Sequence, residues 1–165
     1  MKILVISDTH IQTIKGNFPS KLLEELKSSD ACIHAGDFVE YSVFKELSSI
    51  TKVYGVWGNM DSTGVRKNLP QKQIIRIGNI KIALTHGEGA PHSLITLIKD
   101  IFKDEFSEID IFIFGHSHYP LNKIIDKKVY FNPGSPTDKI FTPYNSYGVI
   151  EIIGNVLKRR IVKIG

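Results

Sequence analysis

Residues 2–10 read KILVISDTH, an unbroken apolar run of Ile, Leu and Val that stops on Asp8-Thr9-His10. A strand buried on both faces, as in a parallel sheet, has that composition. Working outward, the same design recurs four times: ACIHAGD over 31–37, VYGVWGN over 53–59, KIALTHG over 81–87 and IDIFIFGHSH over 109–118. Each run ends on a short polar cluster: Gly36-Asp37, Gly58-Asn59, His86-Gly87 and Gly115-His116-Ser117-His118. Ligands of an open α/β sheet bind in the crevice at the carboxyl ends of its strands, so five such clusters are expected to share one rim. Taken singly, an Asp or Asn after a strand is turn chemistry; the five together predict a site.

Helical periodicity fills the gaps between these runs. Phe18, Leu22, Leu23 and Leu26 recur at helical spacing after Pro19, which suits a first helical turn. A second helix is expected over 42–49 with Val43, Phe44 and Leu47 inward, and a third after Pro91, where Leu94, Ile95, Leu97, Ile98, Ile101 and Phe102 make a wide apolar face. Hairpins are predicted at Gly78-Asn79 within 73–85, at Asp126-Lys127, and at Gly154-Asn155 between the runs 147–153 and 156–164. Strands alternate with helices in the first half and hairpins follow in the second, an α/β pattern. With no internal repeat or linker, the chain reads as a single domain over 1–165.

Composition narrows the function classes. Lys and Arg number 21 against 17 Asp and Glu, for a net charge of +4 and a pI near 9.1. The Lys residues are scattered apart from Lys158-Arg159-Arg160, and no basic stripe is interleaved with aromatics, so no stable nucleic-acid complex is expected. A small anionic substrate fits the same charge. Cys32 is the only cysteine and lies in an apolar run, which predicts a buried structural thiol and a reducing, cytoplasmic setting. The start is too short for a secretory apolar region and no run approaches the roughly 20 residues of a membrane span, so no membrane contact is expected. A homo-oligomer is compatible with this pattern.

Asp8, His10, Asp37, Asn59, His86, His116 and His118 are all oxygen or nitrogen donors, with no thiolate among them. Such a set suits divalent Mn, Fe, Zn or Ni rather than soft copper or an iron–sulfur cluster. Asp8 and His10 are two apart, so on an extended segment both face one side, and His116 and His118 repeat that spacing. Two ions at ~3.5–4 Å repel each other and need a shared anion, for which Asp37 is the candidate.

This series, D-x-H, GD, GN, H and GHxH in order from Asp8 to His118, resembles the motifs of the calcineurin-like metallophosphoesterases. Asn132-Pro133-Gly134-Ser135 is similar to a loop of the small single-domain archaeal and bacterial phosphodiesterases of that superfamily. The resemblance implies a four-layer α/β/β/α sandwich of two mixed β-sheets flanked by helices. It implies Asp8, His10, Asp37 and His118 on one divalent ion and Asp37, Asn59, His86 and His116 on another, with Mn²⁺ or Ni²⁺ favoured and Fe²⁺ or Zn²⁺ accepted. The implied activity is hydrolysis of small phosphodiesters by a hydroxide bridging the two metals, with Asp37, Asn59 and His86 as catalytic residues.

The chain departs from the family at one position. Many members carry a histidine after GN, oriented by an acidic residue after GD, and use it on the leaving group. Here Met60 stands there, a thioether that cannot donate a proton, and Glu40 is left without the partner it would orient. The departure predicts a preference for good leaving groups and for monoanionic diesters over dianionic monoesters.

Other polar residues read more plainly. His34, inside an apolar run, is expected to be a satisfied core histidine or to support a ligand. Asp61 suits either an acceptor for a ligating histidine or a cap, His92 and Arg66 read as solvated surface, and the Asn132–Ser135 segment as a turn with no catalytic part. Two other classes share the pattern: a scaffold of the same fold resembling the small retromer subunit, which binds proteins and has lost metal ligands, and a nuclease, which needs a basic groove. Retention of all seven donors favours the hydrolase.

Overall fold

The computed structural model describes residues 1–165. The elements run β1 (Lys2–Ile6), α1 (Ser20–Lys27), β2 (Ala31–His34), α2 (Tyr41–Ser48), β3 (Lys52–Gly55), α3 (Thr63–Asn68), β4 (Lys72–Ile77), β5 (Ile80–Thr85), α4 (Leu94–Ile101), β6 (Ile111–Ile113), β7 (Leu121–Ile125), β8 (Lys128–Asn132), β9 (Ser146–Ile153) and β10 (Val156–Lys163). One five-stranded sheet has the order β10-β9-β1-β2-β3 and the other β4-β5-β6-β8-β7. Both are mixed: β1, β2 and β3 are parallel, as are β5, β6 and β8, and antiparallel strands extend the first trio on one side, through β9 and β10, and the second on both sides, through β4 and β7.

Strand alternation sorts the core into layers. Ile3 and Val5 of β1, with Ile111 and Ile113 of β6, point into an apolar layer between the two sheets. Leu4 and Ile6 point the other way, onto Leu22 and Leu26 of α1 and Val43 and Leu47 of α2. On the far side Phe112 and Phe114 meet Leu94 and Ile98 of α4. The result is helix, sheet, sheet, helix, the sandwich the motif series implied. Strands with apolar residues on both faces follow from this burial, because each sheet is covered twice.

The hairpins form where expected. Asp126 and Lys127 both adopt positive φ (50° and 65°), as a two-residue turn that follows the strand twist requires. Gly78 and Gly154 open the other two at φ 58° and 59°. Pro19 stands one residue earlier than a first helical turn, as the N-cap of α1. The VYGVW run is shorter than expected, because pairing ends at Gly55 and the Trp57 N–H donates instead to Pro70. The short α3 has one buried residue, Val65, and gives no periodic signal. No helix is long and apolar enough to cross a membrane.

Cys32 is fully buried, and burial pushes its thiol well above the usual range. Because the thiolate is the reactive form, the native protein should not react with a disulfide reagent over hours and should titrate one thiol once unfolded in guanidinium. A stoichiometric reaction of the folded protein would contradict this packing.

Candidate metal centre

All five clusters meet at one end of the sandwich, at the carboxyl ends of β1, β2, β3, β5 and β6. The two-apart ligand pairs do not converge by strand alternation, which is the first correction to the expectation. Asp8 (φ 54°), His10 (45°), Asp37 (59°), His116 (68°) and His118 (59°) all hold left-handed backbone, which costs an L-residue roughly 1–2 kcal/mol. The chain turns sharply at each of these residues, and parallel packing of the flanking loops holds them, including an isolated bridge between Ile11 and Val39.

Two glycines permit the close approach. A Cβ on Gly115 would lie 1.9 Å from Ser7 Oγ and 2.7 Å from Asp8 Oδ2, and one on Gly58 would lie 2.2 Å from Asp37 Oδ1. Gly115 thus clears space for the neighbouring Asp8 loop, and the His116 N–H donates to both Asp8 oxygens at 3.1 and 3.2 Å.

The seven predicted residues form one connected cluster. Asp8 Oδ1 lies 3.3 Å from His118 Nε2, 3.8 Å from His86 Nε2 and 4.0 Å from His10 Nε2. Asp37 Oδ2 sits 3.5 Å from His10 Nε2 and 3.2 Å from His86 Nε2. Asn59 Oδ1 is 3.1 Å from His86 Nε2 and 3.0 Å from His116 Nδ1. Two triads, Asp8–His10–His118 and Asp8–Asp37–His86, each bring three ligand atoms within 4.8 Å of one another.

Three histidines spend their outer nitrogen on the protein. His86 Nδ1–H donates to the Ala35 carbonyl at 2.7 Å, His116 Nε2–H to Gly89 at 2.9 Å, and His118 Nδ1–H to the Asp138 carboxylate at 2.5 Å. Their inner nitrogens therefore present lone pairs to carboxylate and amide oxygens, acceptor against acceptor. Only a proton or a cation satisfies such a cage. His10 Nε2 is buried with no hydrogen-bond partner at all. The donor set, hard oxygens with imidazoles, fits a divalent cation.

Without a cation, protons take that place. Burial lowers the affinity of His118 for a proton, but the Asp8 and Asp138 carboxylates outweigh it and push its pKa up to about 9. His86 is raised likewise against its burial by Asp37 and Asp8. Burial would raise Asp37, yet His86, the Met60 N–H and His10 hold it below the ordinary carboxylate range. A cation entering the cage displaces these protons.

Residues around the cluster refine the sequence reading. His34 is a satisfied core histidine: it is buried, it accepts the Gly36 N–H at Nδ1 (3.2 Å), its Nε2 meets Thr9 Oγ1 at 3.0 Å, and burial pushes its pKa well down. Asp61 neither supports a histidine nor caps a helix. Its carboxylate accepts the N–H groups of Asp37 (2.9 Å), Val39 (2.7 Å) and Gly58 (2.7 Å), tying the loop of Asp37 to the loop of Asn59. Burial raises its pKa, and those amides pull it part of the way back. Arg66 is not simply solvated: it donates to the carbonyls of Asp61 (3.0 Å) and Asn59 (2.8 Å) and lies over the Trp57 ring at 4.6 Å. His92 is exposed as expected, and Glu40 is exposed as well.

The Asn132–Ser135 turn is a buttress. Asn132 Nδ2 donates to the Gly115 carbonyl at 2.9 Å and Ser135 Oγ to the Asp8 carbonyl at 2.7 Å, so it holds two ligand loops from behind. Asp138, the carboxylate on His118, carries no sequence signal, being twenty residues from the ring it orients.

The comparisons agree with this geometry. A probable metallophosphoesterase of Methanocaldococcus jannaschii is 35 % identical over 137 residues, covering 83 % of this chain and 69 % of the relative. A phosphodiesterase of the same organism is 25 % identical over 146 residues, covering 81 % and 83 %. Zinc-complexed Vps29 of Entamoeba histolytica superposes with a TM-score of 0.72 over 99 % of both chains at 24 % identity, a likeness of fold. The family model of the calcineurin-like phosphoesterase superfamily domain matches residues 1–155, and with the ligand cage at the strand ends this chain belongs to that superfamily.

Proposed function

We propose that the protein is a dinuclear phosphodiesterase that hydrolyses small phosphodiesters. The observation that carries this is the cage itself, seven donors in one connected cluster with lone pairs turned inward and His10 Nε2 without a partner. Asp8, His10, Asp37 and His118 would hold one divalent cation and Asp37, Asn59, His86 and His116 the other. Asp37 Oδ2 lies 3.5 Å from His10 Nε2 and 3.2 Å from His86 Nε2, which supports Asp37 as the carboxylate that the two ligand sets would share. When bound, the cations would lower the pKa of a water and neutralise charge on the phosphate.

The protein's own residues do the rest. The outer hydrogen bonds of His86, His116 and His118 fix each ring, so that ligand geometry is set before substrate arrives. Asn59 supplies a neutral oxygen, which keeps the cage from accumulating charge. Met60 is 59 % exposed in the cleft and brings no proton. An apolar side chain there disfavours a dianionic monoester, and a diester with one negative charge fits better. The diester reading also accords with the phosphodiesterase relative. Mn²⁺ or Ni²⁺ is the proposed metal pair, and the proposed setting is the cytoplasm, where a lone thiol stays reduced.

Metal-stripped protein restored with Mn²⁺ or Ni²⁺ is expected to turn over bis(p-nitrophenyl) phosphate faster than p-nitrophenyl phosphate. No turnover with either metal would move the assignment to a protein-binding scaffold, the reading that the Vps29 likeness in fold keeps in view. A second expectation concerns the leaving group. Met60→His should raise kcat on an alkyl diester about 10-fold or more, with little gain on the p-nitrophenyl ester, whose leaving group needs no proton. An unchanged alkyl rate would show that protonation at this position does not limit turnover.

A further inference from the structure

The cleft above the ligand cage has a volume of about 880 Å³, the scale of an organic ligand rather than of a bare phosphate. Three exposed apolar side chains line it: Met60, Tyr119 at 55 % and Phe141 at 67 % of full exposure. Lys139 is the single Lys or Arg among the lining residues, so the cleft offers little to a polyanion. Apolar surface beside a polar cage, with Lys139 its one Lys or Arg and Asp138 already bound to His118 and to backbone amides, describes the part of a substrate that is not the phosphate.

Phe141 is held in place although it is exposed. The N–H groups of Ile140 (2.8 Å) and Phe141 (3.1 Å) donate to the Asp138 carboxylate, which also receives His118 Nδ1–H. Asn145 Nδ2 donates to the Ser135 and Asp138 carbonyls at 3.2 and 2.5 Å and closes the base of the loop. The Phe141 ring stands edge to face with the His118 ring, centroids 6.0 Å apart. One carboxylate therefore sets both a metal-ligand histidine and an aromatic ring beside it. A ring ordered in advance loses little conformational freedom when a flat group packs on it.

We propose that Phe141 and Tyr119 form an aromatic shelf that selects phosphodiesters in which one ester group carries a flat aromatic ring, of the nucleobase or aryl kind, over diesters of plain alkyl alcohols. The inference rests on the phosphate binding at the cage, as in the proposed function. Its test compares monomethyl phenylphosphonate with monomethyl methylphosphonate, two monoanions that differ only in the ring, by calorimetric titration of the Mn²⁺-loaded protein. The phenyl compound is expected to bind about 5- to 30-fold tighter, a preference that Phe141→Trp keeps and Phe141→Ala removes. A preference below about twofold in the unaltered protein, or one that survives Phe141→Ala, overturns the shelf. So does absence of binding by both compounds. Gel filtration adds a further arm: if Phe141→Ala changes the oligomeric state and leaves the preference intact, the ring serves contact between copies and the shelf is wrong. Turnover of bis(p-nitrophenyl) phosphate in the same samples separates the two readings. Turnover with no ring preference defeats the shelf alone, and a ring preference without turnover defeats the phosphodiesterase reading alone.

Discussion

Asp37→Ala is expected to lower Mn²⁺-dependent hydrolysis of bis(p-nitrophenyl) phosphate by at least about 10³-fold. Asp37 Oδ2 is the carboxylate oxygen within reach of both His10 Nε2 and His86 Nε2, at 3.5 and 3.2 Å, so on the proposed dinuclear reading its loss would leave two cations facing each other with no anion between them. The same substitution removes the partner of the Met60 N–H, which donates to Oδ1 at 2.8 Å, a smaller loss on the order of 1 kcal/mol that should leave the protein folded. Metal content checks the cause: the variant should bind one cation or none where the unaltered protein is expected to bind two, with an unchanged circular dichroism spectrum. Retention of two cations and of most of the activity would remove Asp37 from the bridging position.

The second large effect is structural. Asp61→Ala leaves the N–H groups of Asp37, Val39 and Gly58 without an acceptor in a region where Asp61 itself is only 6 % exposed. At about 1–3 kcal/mol for each unsatisfied buried donor, and allowing for partial relaxation, the expected destabilisation is about 3–6 kcal/mol. For a chain of this size that lowers Tm by roughly 6–20 °C. Asp61→Asn keeps one carbonyl oxygen and should lose about half as much. Thermal unfolding in the presence of a chelator reads the effect free of metal. A calorimetric Mn²⁺ titration should also show weaker binding by Asp61→Ala, because that carboxylate sets the spacing between the loops of Asp37 and Asn59. A Tm within about 2 °C of the unaltered protein would show that water takes over the three amides.

Both variants act within loops that are strained. Five of the seven donors hold left-handed backbone, and the surrounding contacts hold them there: Asp61 from one side, Asn132 and Ser135 from behind, and Asp138 on His118. Metal affinity and stability are therefore linked, since each contact that stabilises a loop also sets a ligand.

Residue order alone located the strand ends before Asp8, Asp37, His86 and His116, the hairpin turns, and the seven oxygen and nitrogen donors that cluster. An apolar run that stops on Asp8, Asp37, His86 or His116 is a local signal, because alternation and turn chemistry act between near neighbours in the chain. The two-sheet sandwich came from the likeness of the motif series to a known family and not from periodicity, which cannot say which strands pair. Tertiary structure alone decided what joins distant segments. The left-handed turns at Asp8 and His10 replaced the extended geometry read from their spacing. Asp61 became a staple between loops, Arg66 a clamp on the Asn59 loop and Asp138 a partner of His118. Six-residue α3 went unseen because one buried side chain makes no period. Each of these depends on a hydrogen bond or packing contact that forms only once the sheets have brought the loops to one rim, and a chain read in order carries no distance between its loops.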